Sequence, residues 1–150
     1  MNTSIPNPLQ ILLVEDNPGD VLLIEEALRD QKHRIRLHVV RHGEEAMDFL
    51  QRRGCYADAP RPDLILLDFN LPRKDGREVL AEIRTDPSLQ HLPVIVLTTS
   101  QGEEDILKAY SLNATCYVPK PMDFDEFIEV IRSIESFWSR VAKLPDRTAP

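Results

Sequence analysis

The sequence predicts an α/β domain: a five-stranded parallel sheet with helices on both faces. Three observations carry this. Five short apolar runs alternate along the chain with five stretches of helical periodicity. The third run, Leu64-Ile65-Leu66-Leu67, is apolar throughout, which suits a strand buried on both sides. The second run alternates apolar and polar residues, which suits a half-exposed sheet edge. Strand–helix alternation of this kind forces a parallel sheet, because each crossover lays a helix on one face.

The first strand is read from Leu9 to Val14 and ends on Glu15-Asp16. Asn17 then serves as N-cap, Pro18 fits the first helical position, and Asp20 sits near the positive end of the helix dipole. Val21, Ile24 and Leu28 follow at helical spacing. Ile35, Leu37 and Val39 alternate with Arg36 and His38 to give the edge strand. Gly43 breaks it, and Glu44 to Arg52 reads as a short amphipathic helix. Gly54 to Pro62 is a loop, long for such a connection. The third strand ends on Asp68, and after the Asp75-Gly76 turn pair a helix carries Val79, Leu80 and Ile83 as far as Asp86-Pro87.

Pro93 opens the fourth strand, Val94 to Leu97, which ends on Thr98-Thr99-Ser100. Ser100 and Glu103 have capping-box spacing, so the fourth helix is expected to start at Ser100 with Ile106, Leu107 and Tyr110 toward the sheet. Thr115 to Val118 is the fifth strand, stopped by Pro119-Lys120-Pro121. Asp123 and Glu126 cap an extended last helix bearing Phe124, Phe127, Ile128, Ile131, Ile134 and Trp138. The domain is read as residues 9–144, with a disordered arm over 1–8 and a frayed tail over 145–150. Its length suits a doubly wound, flavodoxin-like sheet of order 2-1-3-4-5, which leaves the alternating second strand at an edge.

Composition narrows the function. The chain has 150 residues, 42% of them hydrophobic, enough for one domain with a real core. No apolar run reaches a membrane span, and the polar start lacks the pattern of a signal peptide, so a cytoplasmic protein is expected. The net charge is -7 with no basic cluster, which argues against nucleic acid as the direct partner. Cys55 and Cys116 form no Cys-x-x-Cys pair and read as reduced thiols. His33, His38, His42 and His91 show no ligand spacing; solvated or capping roles are expected.

The strand ends carry the chemistry. Glu15 and Asp16, Asp68, Thr98 and Lys120 all fall at or just beyond carboxyl ends, which a parallel sheet gathers on one rim. The first and third strands flank the switch point where helices diverge and leave a crevice. Three carboxylates there repel one another unless a cation joins them. Hard oxygen donors favour Mg²⁺, with Mn²⁺ as a substitute. Lys120 adds a positive point charge and Thr98 a hydroxyl, a set suited to a phosphoryl group. Asp68 then has two possible parts, metal ligand or nucleophile.

At these residues the sequence resembles the receiver domains of two-component response regulators. The resemblance rests on Leu13-Val14-Glu15-Asp16-Asn17, Asp68-Phe69-Asn70-Leu71-Pro72 with Asp75-Gly76, Thr98, and Pro119-Lys120-Pro121, and it extends from about Leu9 to Trp138. The Glu-Asp-Asn-Pro-Gly-Asp opening and the long 54–62 loop are most similar to single-domain regulators of cyanobacterial phytochrome histidine kinases. The resemblance implies Asp68 as phosphoacceptor from a sensor histidine kinase. It implies Mg²⁺ ligation by Asp16 and Asp68, by the Asn70 carbonyl, and by Glu15 directly or through water. Thr98 and Lys120 would contact phosphoryl oxygens, Tyr117 would be the switch aromatic, and the Lys120-Pro121 bond would be cis. Two departures stand out: Glu15 where many members have Asp, and Thr99 where a smaller residue is common.

The expected function is a phosphorylation-controlled switch that signals through the surface of the fourth helix, fifth strand and fifth helix, not a turnover enzyme. The alternative is a metal-dependent phosphatase of the haloacid dehalogenase type. That chemistry needs a second acid two residues after the nucleophile, and Asn70 stands there. The last helix carries two apolar stripes where one would cover the sheet, so Phe127, Val130, Phe137 or Val141 is expected to form a partner face, in a homodimer or against the kinase.

Overall fold

Five parallel strands, β1 (Leu9–Val14), β2 (Ile35–Val40), β3 (Leu64–Leu67), β4 (Val94–Thr98) and β5 (Cys116–Pro119), form one sheet of order β2-β1-β3-β4-β5. The helices are α1 (Pro18–Leu28), α2 (Gly43–Leu50), α3 (Gly76–Thr85), α4 (Glu103–Ser111) and α5 (Phe124–Ser136). The computed structural model describes residues 7–31 and 33–144, so most of the expected arm and all of the expected tail lie outside the described residues.

The central strands divide their side chains between two cores. Leu12, Val14, Ile65, Leu67, Val94 and Val96 join residues of α2 and α3 on one face. Ile11, Leu13, Leu64, Leu66, Ile95 and Leu97 join residues of α1 and α5 on the other. Period-two alternation with apolar residues at nearly every position explains why both faces are covered. In β2, Ile35 and Val40 are buried while Arg36 is exposed, as an edge strand requires.

The register aligns the rim. Val14 pairs with Leu67, and Leu67 with Val96. Glu15 and Asp68 each follow a paired residue by one position and therefore leave the sheet side by side. Thr98 pairs with Pro119, which brings Lys120 to the same level.

Several local expectations are corrected. α4 starts at Glu103 with Gly102 as its cap, and no side chain caps it. Ser100 is engaged elsewhere: its Oγ donates to Asp105 Oδ2 at 2.6 Å. The inward row of α4 also differs from the expected one. Ala109 is the buried residue, while Leu107 (68% exposed) and Tyr110 (49% exposed) point outward. α2 spans Gly43–Leu50 with His42 as N-cap, its Nδ1 accepting from the Glu45 N–H at 3.1 Å. Among the described residues every peptide bond is trans, Lys120-Pro121 included. Trans is the ordinary form before proline, favoured by about 0.5–1 kcal/mol.

The last helix also differs from its expected pattern. Phe127 is buried with Ile131 against the sheet, so it belongs to the core and not to a partner face. Phe127 and Ile131 are one helical turn apart and share the inward row. After Ser136 the helix widens into a π turn over Phe137–Val141. Phe137 and Val141 are exposed there, Trp138 packs against the core, and Val130 is half-buried.

Candidate functional site

The β1, β3 and β4 ends and the segment after β5 build the rim from backbone geometry alone. α1 begins with Asn17, whose side chain accepts from the Gly19 and Asp20 N–H groups. α3 begins with Asp75 in a capping box with Glu78. In sequence Asp75-Gly76 reads as a turn pair; the Asp-x-x-Glu spacing to Glu78 is the signal of the capping box. Gly76 is required by close approach: a Cβ there would lie 2.2 Å from the Asp68 carbonyl oxygen and 2.7 Å from Phe69 Cα.

Asp68 is buried and fully engaged. Its Oδ1 accepts from the Asn70 N–H at 3.0 Å and from Thr98 Oγ1 at 2.8 Å. Its Oδ2 accepts from Lys120 Nζ at 3.0 Å. The Asn70 amide donates to Thr98 Oγ1 at 3.3 Å. Glu15 is buried, accepts from the Asn17 N–H at 3.1 Å, and pairs with Lys120 at 2.6 Å. Asp16 is exposed at the lip. Lys120 has a third partner that no local sequence pattern marks, Asp20 Oδ2 on α1 at 2.7 Å.

The electrostatics follow from burial. Removal from water pushes the Glu15 carboxyl up to about 7, and the Asp68 charge adds to the rise, while the bond from Lys120 opposes it. For Lys120, burial alone would favour the neutral amine; hydrogen bonds to Asp20 and Glu15 and the charges of Glu15 and Asp68 outweigh it and hold the ammonium above its ordinary value. Glu15, Asp16 and Asp68 each offer one carboxylate oxygen, and these lie within 4.8 Å of one another. Three hard oxygen donors at this spacing, with a raised carboxyl among them, fit a divalent cation of the Mg²⁺ kind.

Tyr117 sits one layer out. The Tyr117 hydroxyl donates to the Ser100 carbonyl at 2.7 Å, and its ring meets Phe69 edge-on with centroids 6.0 Å apart. Arg77 lies over the Phe69 ring, its guanidinium carbon 4.8 Å from the centroid. It pairs with Asp105 at 2.5 Å and so ties α3 to α4. Neither Arg77 nor Asp105 was singled out from the sequence, since both read as ordinary helix-surface charges. Of the expected site residues, Glu15, Asp16, Asp68, Asn70, Thr98 and Lys120 are gathered together; Tyr117 stands beside them, and the α5 residues lie elsewhere.

A doubly wound sheet with an acid triad, a hydroxyl and an ammonium at its switch point defines the receiver class of two-component signalling proteins. The chain belongs to that class: residues 11–132 match the response regulator receiver domain family. It is 47% identical to the response regulator Rcp1 of Synechocystis sp. (strain ATCC 27184 / PCC 6803 / Kazusa), covering 92% of this chain and 94% of that protein. It is 37% identical to a probable methanogenesis regulatory protein, FilR2, of Methanothrix harundinacea (strain 6Ac), covering 88% of this chain and 84% of that one. Among solved structures, the phosphorylated cyanobacterial phytochrome response regulator RcpA matches with a TM-score of 0.90 at 48% identity, covering 93% of this chain and all of that one. The Mn²⁺-bound form of Rcp1 matches with a TM-score of 0.88 at 47% identity, again covering 93% of this chain and all of that one.

Proposed function

We propose that this receiver accepts a phosphoryl group on Asp68 from a phytochrome-type histidine kinase in a reaction that needs Mg²⁺ or Mn²⁺. The observation that carries the reading is the environment of Asp68: carboxylate oxygens of Glu15 and Asp16 within 4.8 Å, and Thr98 and Lys120 within hydrogen-bond reach. An Asp68 oxygen forms the O–P bond as the N–P bond of a phosphohistidine breaks; the histidine nitrogen keeps the electron pair. A cation on Glu15, Asp16, Asp68 and the Asn70 carbonyl would neutralise charge on the moving group. The Thr98 hydroxyl and Lys120 ammonium are the donors available to its oxygens. The solved metal-bound and phosphorylated relatives support both parts, and the phytochrome association of RcpA supports the choice of kinase.

The chain would catalyse only its own phosphorylation and dephosphorylation. A turnover phosphatase needs a proton donor at position 70, and the Asn70 amide instead donates to Thr98. The receiver unit is taken as residues 9–144, acting in the cytoplasm where a kinase phosphohistidine is reachable. Among the described residues no helix is long and apolar enough to cross a membrane. Neither nucleic acid nor membrane is a partner in this reading. Signalling would run through the face of α4, β5 and α5, where Leu107, Tyr110 and Phe124 are exposed. Exposed Phe137 and Val141, with half-buried Val130, would form a homodimer face.

Incubation with Mg²⁺ and acetyl phosphate should add one phosphoryl group, detected by intact mass, and Asp68→Asn should add none. Phosphorylation of the Asn variant would overturn the assignment. For the dimer, sedimentation should give twice the monomer mass and Phe137→Glu should give the monomer. A monomer in both phosphorylation states removes the dimer reading.

A further inference from the structure

We propose that Asp20 is a positioning residue for Lys120: it anchors the ammonium to α1 so that Glu15 and Asp68 stay available to the divalent cation. The proposal rests on the reading of Asp68 and its acids as a metal-dependent phosphoryl site.

An ammonium has three N–H groups. Lys120 Nζ meets three carboxylates: Glu15 Oε1 at 2.6 Å, Asp20 Oδ2 at 2.7 Å and Asp68 Oδ2 at 3.0 Å. Two of these are the acids that would hold the metal. Lys120 is therefore both the neighbour of the cation and its competitor. Asp20 is the one partner outside the acid triad. It stands on an anchored turn, with Pro18 and Gly19 before it and its own N–H held by the Asn17 side chain at 3.2 Å. Its carboxylate is not used for capping and is aimed at Nζ. With Glu15 and Asp68 engaged by a cation, Asp20 would remain an acceptor for the ammonium. Without that anion the ammonium has only the metal's own ligands to bind. The two N–H groups now directed to Glu15 and Asp68 would then be left for phosphoryl oxygens.

The test uses the full unphosphorylated chain and Mn²⁺ alone, with free Mn²⁺ measured by electron paramagnetic resonance. Asp20→Asn should raise the Kd for Mn²⁺ on the order of tenfold, since it removes one charge close to the competing ammonium. Asp20→Glu, which keeps the charge, should bind within threefold of the parent. In phosphorylation by acetyl phosphate, the Asn variant should be slow at low Mg²⁺ and recover at saturating Mg²⁺. A Kd for Asp20→Asn within twofold of the parent would overturn the proposal, as would equal weakening by Asn and Glu. Metal binding is read without phosphorylation, so failure here is distinct from failure of the Asp68 assignment, which Asp68→Asn reports.

Discussion

The Thr98 hydroxyl donates to Asp68 Oδ1 at 2.8 Å across two neighbouring strands, with both side chains buried. The bond fixes Thr98 in the unphosphorylated protein. The same oxygen accepts from the Asn70 N–H. Thr98→Val keeps the shape and removes the donor. A hydrogen bond to a buried carboxylate contributes about 1.5–3 kcal/mol, so urea unfolding of the metal-free variant should show a loss near the lower end, since the Asn70 N–H remains. Acetyl phosphate should still load the variant, because Asp68 is intact. An unfolding midpoint equal to the parent's would mean this bond does not stabilise the fold.

The Lys120 ammonium pairs with two buried acids at once. Lys120→Met leaves Glu15 and Asp68 without their cation. Stranding a buried charge costs about 3–5 kcal/mol, and in metal-free buffer at pH 7 the loss should fall in that range. Added Mg²⁺ binds only the folded acids and should restore part of the loss in a concentration-dependent way. Denaturant melts with and without millimolar Mg²⁺ check this. A variant as stable as the parent without metal would show that the acids need no counter-charge.

Why was the rim legible in the sequence, and the groups around it not? Asp68 and Glu15 announce themselves because an apolar run has an end, and in a parallel sheet every such end lies on one side. The edge position of β2 followed from Arg36 and His38 in the same way. Asp20 could not be read so: its contact with Lys120 spans 100 positions and depends on how α1 is oriented over β1. Phe127 was misassigned because two apolar stripes on α5 look alike until packing selects one, and the π turn after Ser136 changes which residues face outward. Ser100 looked like a cap, but Asp105, two residues inside the helix start, takes its hydroxyl. Local pattern decides which elements form; competition between partners decides how they end.

Gly76 opens α3 against the backbone at the end of β3. An alanine Cβ would lie 2.2 Å from the Asp68 carbonyl oxygen, a backbone atom that cannot swing aside. Gly76→Ala should cost at least about 2 kcal/mol, toward the upper part of the range for overpacked sites. It should also slow phosphorylation, because relieving the clash moves the backbone that carries Asp68. Thermal unfolding and the rate with acetyl phosphate measure the two effects. A normal rate together with lowered stability would show that α3 yields and Asp68 does not.

His38 supplies a pH dependence away from the acid cluster. Its Nε2 lies 2.7 Å from Gln10 Oε1, and its ring packs on Phe49 at 5.4 Å between centroids. Burial disfavours the imidazolium, Arg36 adds repulsion, and the pKa falls below the ordinary 6.5. The unfolded chain then binds more protons than the folded one in the window just below 6.5. The contribution of His38 to stability is therefore complete above that value and is lost as the pH falls through the folded pKa. An NMR titration of the His38 ring should give a midpoint below 6.5. His38→Gln, which cannot take the proton, should flatten the loss of stability between pH 6.5 and the measured midpoint. An unchanged pH slope in that variant would assign the dependence to another group.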